Sequence, residues 1–357
     1  KLQSEFDNLM KYLGDHEALD VFVALSERTS NLKSFRENLK KYQVLQAEYK
    51  EKLREIEKDQ IEQSEVTDKY LKEMHSETTV PKFIDVEKVN AGKTPGLLKI
   101  LPSFVIRYLK RILHLERLND IIFRHRDKHG IDFLDAVLTE FNVNIKVRGA
   151  DNFDKSKPYV VASNHPLGGL DGMALMLAAG RINSHISMTA NDFLMHVENL
   201  RSLFIPINKH GSNTENIGAI NNTFASDNVV IFFPAGLCSR KIGKRILDLE
   251  WKKTFLSMAR KYSRDILPVH ISGKNSSFFY NLARLRKKIG LKANIEMLYL
   301  VDEMFKQDNK DIIITFGKPI SFNFFDKHIK DKVWASELRK HVYKLEKDAY
   351  VDFAPMI

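Results

Sequence analysis

The chain has 357 residues, of which 43% are hydrophobic, so it can bury the core of one large domain or two smaller ones. Its single cysteine excludes an intramolecular disulfide and suits a reducing compartment. We find neither a signal-peptide pattern nor a run of about 18 uncharged apolar residues, so we expect no secretory leader and no membrane-spanning helix.

The net charge of +10 is unevenly distributed. Residues 1–75 hold 13 Lys and Arg against 16 Asp and Glu, a net of −3, whereas the rest of the chain has a net of +13. A basic body predicts an anionic partner, such as phospholipid, nucleic acid or an acidic cofactor. Good solubility explains the charge equally well, so charge alone does not identify the partner.

Residues 1–74 are predicted to form a helical coiled-coil arm. Between residues 25 and 65, apolar side chains recur every three or four positions, with Glu and Lys on the flanks. The seam consists of Leu32, Phe35, Leu39, Tyr42, Tyr49, Leu53 and Ile56, with Gln46 and Gln60 at core positions. A seam of this kind predicts a coiled coil or a helical hairpin, and a coiled coil would give a homo-oligomer through the arm. Residues 75–95 are predicted to be a linker.

Residues 96–142 are predicted to form basic amphipathic helices that face a membrane. The apolar face is Leu97, Leu101, Phe104, Tyr108, Ile112, Leu115 and Ile122, and the basic side chains are Lys99, Arg107, Lys110, Arg111, Arg117 and Arg124. Such helices lie in anionic membrane interfaces. An ordinary core-facing helix with solvated basic side chains fits the pattern equally well. Pro102 predicts that the segment divides into two short helices.

Residues 143–325 are predicted to form an α/β domain, a mixed sheet flanked by helices. Continuous β-branched runs predict strands at 143–147, 159–163, 185–190, 203–207, 229–233, 266–271 and 311–317. Helices are predicted between and after them, at 171–180, 213–225, 248–262, 278–289 and 334–346. The last of these helices lies in residues 326–357, which are predicted to be a C-terminal helix and tail.

Residues 163–172 read SNHPLGGLDG and join a predicted strand to a predicted helix. His165 therefore falls at the carboxyl end of a strand, where open α/β sheets place their sites. Gly168 and Gly169 allow a tight loop whose backbone comes close to a ligand. Asp171 either caps the amides of the following MALM turn or orients the His165 imidazole, and the local pattern leaves both roles open.

The segment VVIFFPAGLCSRK, residues 229–241, is a predicted strand that runs into a Pro-Gly turn. Backbone amides and basic side chains after a strand end make an anion site, and the residues that follow this turn are Ser239, Arg240 and Lys241.

Two further segments place unusual residues at or near strand ends. LFIPINKHG, residues 203–211, leads from a strand to Asn208 and Lys209. ILPVHISG, residues 266–273, contains Pro268 inside a predicted strand. Because proline cannot donate to a β ladder, Pro268 predicts an edge strand or a strand end near the site.

These four segments, in this order, resemble the glycerophospholipid acyltransferase family of the lysophosphatidic-acid type. That family carries Asn-His-x4-Asp, a Phe-Ile-x-Arg block, Phe-Pro-Glu-Gly-Thr-Arg-Ser and a Val-Pro-Val-type strand. The resemblance covers about residues 85–325. It is nearest to the bacterial putative-hemolysin branch, whose relatives acylate aminolipids such as ornithine or glycine lipids.

The resemblance implies an acyl transfer from acyl-ACP or acyl-CoA to a lysophospholipid or lyso-aminolipid. It also implies a peripheral enzyme at the cytoplasmic face of the inner membrane, whose partners are an anionic lipid surface and acyl carrier protein. The reaction needs no cofactor besides the acyl thioester co-substrate, and no nucleic acid or metal is expected.

The resemblance further implies a role for each matching residue. His165 is the expected general base and Asp171 its orienting partner, without a covalent intermediate. Backbone amides around Gly168 or Gly236 are expected to stabilise the oxyanion. The expected substrate-binding residues are Asn164, Gly168, Gly169, Asn208, Lys209, Pro234, Gly236, Ser239, Arg240 and Lys241.

The chain departs from the family pattern at three places. Five residues, rather than four, separate His165 from Asp171. Ala235 and Leu237 replace the usual Glu and Thr of the third block, and Asn208 and Lys209 stand where an Arg is usual. Because the family holds the acceptor phosphate with the second and third blocks, these changes weaken the expectation that lysophosphatidic acid is the acceptor.

Other residues favour structural roles. Cys238 is expected to be a small buried residue rather than a nucleophile. His125, His129 and His210 lack the spacing of a metal site. The basic run at residues 281–292 meets either acidic head groups or acyl carrier protein, or it is a solvated helix end.

Two classes of function therefore remain open from the sequence. The first is the acyltransferase, and the alternative is a non-catalytic basic module that binds membranes or nucleic acid. A serine esterase is disfavoured because the chain has no Gly-x-Ser-x-Gly segment.

Overall fold

The computed structural model describes residues 103–190, 197–206, 217–291 and 294–356. The predicted coiled-coil arm at residues 1–74 and the linker at 75–95 lie outside the described residues. The same holds for Pro102, for His210 and for two of the predicted binding residues, Asn208 and Lys209.

The helices of the described ranges lie before, between and after the strands. They are α1 (Ser103–Ile112), α2 (Leu115–Arg124), α3 (Gly130–Glu140), α4 (Gly169–Gly180), α5 (Ile217–Ala225), α6 (Thr254–Lys261), α7 (Ser277–Lys288), α8 (Leu300–Phe305) and α9 (Asp331–Lys344). Short 3₁₀ helices cover Ala150–Asn152, Glu198–Leu203, Ile295–Tyr299 and Phe322–Phe324. No helix in these ranges is long and apolar enough to cross a membrane.

Seven strands form one mixed sheet, in the order β1-β9-β8-β2-β5-β3-β4. They are β1 (Asn144–Arg148), β2 (Val160–Ser163), β3 (Ile186–Ala190), β4 (Phe204–Pro206), β5 (Val229–Phe232), β8 (Ile266–Ile271) and β9 (Asp311–Phe316). All pairs are parallel except β8 with β9. The seven predicted strands and the mixed sheet are thus confirmed.

Both faces of the central strands are buried. Val160 of β2 packs into a cluster with side chains of α6 and α9, whereas its neighbour Val161 packs into a second cluster with α3 and α4. Successive side chains of a strand point to opposite faces, so burial on both sides requires an unbroken apolar run. Each such Val, Ile or Leu contributes about 1.5–3 kcal/mol when fully buried.

The prediction that Pro268 marks an edge strand or a strand end is wrong, because β8 lies between β9 and β2 and Pro268 is its third residue. The proline is tolerated because β9 has already ended beside it. Gly317 N donates to Pro268 O at 2.8 Å, and Ile266 next exchanges hydrogen bonds with Ile320. The chain between Gly317 and Ile320 bulges, so no donor from Pro268 is required there.

The helix predicted at residues 248–262 begins only at Thr254, and the segment before it holds an unpredicted hairpin. Its strands are β6 (Arg240–Ile242) and β7 (Arg245–Leu247), which pair antiparallel. Gly243 has a φ of +61° in the connecting turn, a conformation that glycine adopts at little cost. The strands are too short, and too rich in exposed basic residues, to give a clear strand pattern.

Part of the predicted amphipathic segment faces protein. Ile112, Leu115 and Ile122 are all less than a tenth exposed, and Leu115 and Ile122 belong to the main core. At these three positions the helices face the protein core, as in the second interpretation of the sequence pattern. That the segment faces a membrane stays a prediction.

Candidate active site

The candidate site is built at the carboxyl end of β2. The strand ends at Ser163, and α4 begins at Gly169. Gly168 makes the return possible with a φ of +80°, and a Cβ on it would lie 2.9 Å from Leu300 Cδ1. Only glycine fits this turn without displacing Leu300.

His165 and Asp171 form a hydrogen-bonded pair across this loop. His165 Nδ1 lies 2.8 Å from Asp171 Oδ1, and the Asp171 side chain is fully buried. Asp171 Oδ2 accepts hydrogen bonds from the N–H groups of Leu167 (2.7 Å) and Gly168 (3.2 Å). The carboxylate therefore holds the amides before α4, not those of the MALM turn predicted from the sequence.

The geometry assigns different tasks to the two ring nitrogens of His165. A carboxylate only accepts hydrogen bonds, so Nδ1 carries the proton that faces Asp171. In the neutral ring Nε2 is then the basic nitrogen. The extra residue between His165 and Asp171 is accommodated by the left-handed turn at Gly168. The pair can orient a general base and stabilise the imidazolium that forms when the base accepts a proton.

The His165 ring and backbone are each fixed by further contacts. The ring stacks on Phe233, with centroids 4.3 Å apart, and its side chain is 18% exposed. His165 N donates to Asp248 Oδ1 at 3.1 Å, and Ser239 N donates to His165 O at 2.7 Å. The imidazole is thus reachable from solvent but held in one orientation.

Asp248 is a site residue that sequence reasoning missed. It is fully buried, and it also accepts from Ser239 Oγ (2.6 Å) and Trp251 Nε1 (2.8 Å). Its own N–H donates to the hydroxyl of Tyr343 at 2.7 Å. Burial raises the pKa of Asp248, while the bonds from Ser239, Trp251 and His165 oppose that rise. Asp248 lies between Leu247 and Leu249 with Glu250 close by, and this local sequence carries no signal for its role.

Two predicted binding residues bond to the protein itself. The buried Asn164 amide donates to Ile271 O at 2.8 Å and accepts from Ile271 N at 2.7 Å, which extends the contact between β2 and β8 beyond the ladder. Ser239 is buried and donates to Asp248. Both side chains position the loops around His165. Their contact with substrate stays a prediction.

Arg240 is held inside the protein by several acceptors. Its guanidinium donates to Cys238 O at 2.7 Å and to Glu296 Oε1 at 2.8 Å. The fully buried Glu296 also forms an ion pair with Arg286, at 2.9 Å between Oε2 and Nε. Lys241, the next residue of β6, is exposed. The predicted substrate contacts of Arg240 and Lys241 stay predictions.

The two amides expected to stabilise an oxyanion already have acceptors. Gly236 N donates to Phe233 O at 2.9 Å and closes a turn that contains the buried Pro234. Gly168 N donates to Asp171. Both N–H groups therefore have an acceptor in this arrangement, and the expectation that amides around these two glycines stabilise the oxyanion stays a prediction. Gly236 itself is exposed, as is Gly169 at the first position of α4.

Cys238 is fully buried, and burial raises the pKa of its thiol to about 11. A thiol that stays protonated and out of reach of solvent does not serve as a nucleophile. The prediction of a buried structural cysteine is therefore confirmed. His125 contacts Glu140 at 3.1 Å, and within the described ranges no group of three or more His, Cys, Asp or Glu residues could hold a metal ion.

A sheet that presents a carboxylate-oriented histidine at a strand end defines a site for acid–base chemistry. The model of a family described as "Acyltransferase" matches residues 88–351. The chain belongs to this acyltransferase family, which confirms the resemblance read from the motifs. The enzyme is thereby favoured over the non-catalytic binding module.

Two relatives that are 44% identical agree with the family match. Two proteins named lyso-glycine lipid O-acyltransferase, from Bacteroides thetaiotaomicron and Phocaeicola vulgatus, are each 44% identical to this chain over 265 residues. The matches cover 74% of this chain and 97% and 95% of the two relatives. The crystal structure of PlsC, the 1-acyl-sn-glycerophosphate (LPA) acyltransferase of Thermotoga maritima, is 18% identical with a TM-score of 0.39, and covers 67% of this chain and 95% of its own.

Proposed function

We propose that this acyltransferase transfers a fatty acyl group from an acyl thioester to the hydroxyl of a lyso-glycine lipid, with His165 as general base. The hydrogen-bonded His165–Asp171 pair at the carboxyl end of β2 is the observation that carries the chemistry. The acceptor is proposed because both relatives that are 44% identical are named for it and are covered almost completely.

In the proposed reaction, His165 Nε2 takes the proton of the acceptor hydroxyl while its oxygen attacks the thioester carbonyl. The carbon–sulfur bond breaks, and the proton passes from the imidazolium to the departing thiolate. Asp171 stabilises the imidazolium throughout. A positioned general base contributes about 10²–10⁴-fold to the rate. No covalent acyl-enzyme is needed, and the buried Cys238 supports a direct transfer.

An anionic acceptor head group requires a cation in the site. Arg240 of the third motif block does not supply it, because its guanidinium is already paired with Glu296. A glycine joined to lipid through its amine keeps a carboxylate. Lys252 is exposed, and a Cβ on Gly236 would lie 3.5 Å from its Nζ. Gly236 belongs to the turn that begins at Phe233, the residue stacked on His165. Lys252 is therefore proposed to bind the acceptor carboxylate.

The proposed partners follow from the reaction and the charge of the chain. The donor is acyl carrier protein or coenzyme A carrying the acyl chain, and the body with net charge +13 meets anionic lipid. The proposed location is the cytoplasmic face of the inner membrane, where acyl thioesters and lysolipids meet. Self-association through residues 1–74 is proposed on the heptad pattern alone.

An acyl-transfer assay tests the proposal. Labelled acyl-ACP and acyl-CoA are supplied separately, with lyso-glycine lipid and lysophosphatidic acid as alternative acceptors. We expect label in the glycine lipid with wild type and a loss of at least about 10²-fold in His165→Ala. His185→Ala, at an exposed histidine beside the amino end of β3, is the matched control. Transfer only to lysophosphatidic acid would overturn the acceptor, and full activity of folded His165→Ala would overturn the mechanism.

A further inference from the structure

The β6–β7 hairpin connects the His165 loop to an exposed and basic tip. We infer that this tip, residues 241–245, docks on an anionic lipid bilayer and thereby places the His165 site at the membrane surface. The inference rests on the proposed function, because it explains how an enzyme for a lipid acceptor reaches its substrate. The resemblance gives Arg240 and Lys241 of β6 a role in substrate binding but assigns none to residues 242–245.

The residues at the base of the hairpin bond to both the N–H and the carbonyl oxygen of His165. Ser239, just before β6, donates its N–H to His165 O at 2.7 Å. Asp248, just after β7, accepts the His165 N–H at 3.1 Å and the Ser239 hydroxyl at 2.6 Å. Ser239 and Asp248 are both almost completely buried. The hairpin and the candidate base are therefore joined by hydrogen bonds through two buried residues.

The tip has the composition of an interfacial anchor. All of residues 241–245, which read KIGKR, are exposed, and residues 239–247 contain no acid. Ile242 is 49% exposed, and a Cβ on Gly243 would meet no atom within 4 Å. An exposed apolar side chain among cations suits a surface that offers acyl chains beneath anionic head groups. A nucleic acid would engage the cations but offers no acyl chains to Ile242.

The hairpin is also braced, so its tip keeps a fixed position relative to the site. Ile246 of β7 packs in a cluster with Met297 of the 3₁₀ helix Ile295–Tyr299. Arg240 of β6 bonds to Glu296 of the same helix. These contacts make the hairpin part of the folded body, so docking of the tip orients the His165 site toward the bilayer.

The first test is vesicle binding by the full chain. Vesicles of phosphatidylcholine mixed with phosphatidylglycerol are compared with phosphatidylcholine alone. Each basic side chain near an anionic surface strengthens binding by about fivefold, so Lys244→Glu/Arg245→Glu should weaken binding to the mixed vesicles by at least about 30-fold. The control Lys155→Glu/Lys157→Glu makes the same charge change at exposed lysines before the amino end of β2. Unchanged binding of the hairpin variant, or an equal loss in the control, would overturn the inference.

The second test separates this inference from the proposed function. With the lysolipid acceptor dispersed in neutral detergent, the hairpin variant should transfer acyl groups at the wild-type rate. With the same acceptor embedded in mixed vesicles, its rate should fall in proportion to the lost binding. Ile242→Ser, which keeps every charge, should also weaken vesicle binding. An inactive wild type in detergent defeats the proposed function, whereas equal rates of wild type and variant on vesicles defeat the docking role alone.

Discussion

Asp171→Asn separates an orienting role of Asp171 from a merely structural one. In the wild type, two carboxylate oxygens serve three donors: Nδ1 of His165 and the amides of Leu167 and Gly168. Asparagine has one acceptor oxygen. If that oxygen keeps the two loop amides, the side-chain NH₂ group faces His165 Nδ1 and forces the ring proton onto Nε2. The base is then in the wrong tautomer to accept a proton.

The size of the effect follows from the lost charge. With charge centres about 4 Å apart and an effective dielectric constant of about 20, the imidazolium and carboxylate attract by about 4 kcal/mol. In the proposed reaction the imidazolium forms only as the proton is taken up, so the loss raises the barrier, and about 4 kcal/mol corresponds to about 10³-fold in rate. We expect kcat and kcat/KM to fall together, since acceptor binding does not involve this charge.

The measurement is steady-state acyl transfer, with kcat and KM determined for wild type and Asp171→Asn. Thermal unfolding followed by circular dichroism is the control, and a midpoint close to that of wild type shows that the loop amides are still held. A folded variant with kcat within about tenfold of wild type would refute the argument. Such a small loss would mean that neither the tautomer of His165 nor the stability of its imidazolium depends on the Asp171 carboxylate.

Three further predictions concern stability, pH and the acceptor. Asp248→Ala leaves buried donors without an acceptor and should lower the free energy of unfolding by about 3 kcal/mol in urea titrations; an unchanged midpoint would contradict the network. Burial lowers the pKa of both His270 and His341 to about 4, so the unfolded chain binds protons first and stability should fall as the pH drops from about 6.5 to about 4. A flat pH dependence of the free energy of unfolding over that window would contradict this prediction. Lys252→Ala should raise KM for the carboxylate acceptor but not for its methyl ester, whereas exposed Lys253→Ala should leave both unchanged; equal effects on both acceptors would remove Lys252 from the head-group site.

The sheet was predictable because its central strands are buried on both faces. Val160 and Val161 have no polar neighbour within β2, and such apolar runs are read directly from the sequence. Strand order was not predictable, because it depends on which runs pair across long separations. Pro268 shows the difference: its residue type suggested an edge, but the end of β9 beside it made a central position possible.

The candidate site was predictable in part for a related reason. His165 and Asp171 are close in sequence, so a strand end and two glycines sufficed to bring them together. Asp248 is 83 positions from His165, and nothing in its local sequence distinguishes it from a surface acid. Its role exists only because a short hairpin folds back on the loop after β2. Residues that hold a catalytic backbone through long-range contacts leave no periodic or motif signal.

Arg240 shows why a motif does not fix the specificity of its site. The resemblance predicts that this arginine contacts an acceptor anion, yet both its terminal nitrogens donate to groups of the protein, among them Cys238 O and the buried Glu296. Releasing the guanidinium to bind substrate would leave the Glu296 charge paired only with Arg286, at a cost of several kcal/mol. Binding a substrate anion therefore costs less free energy when the cation is already exposed to solvent. Lys252 beside Gly236 is such a cation, which is why it is the residue that we propose for the acceptor carboxylate.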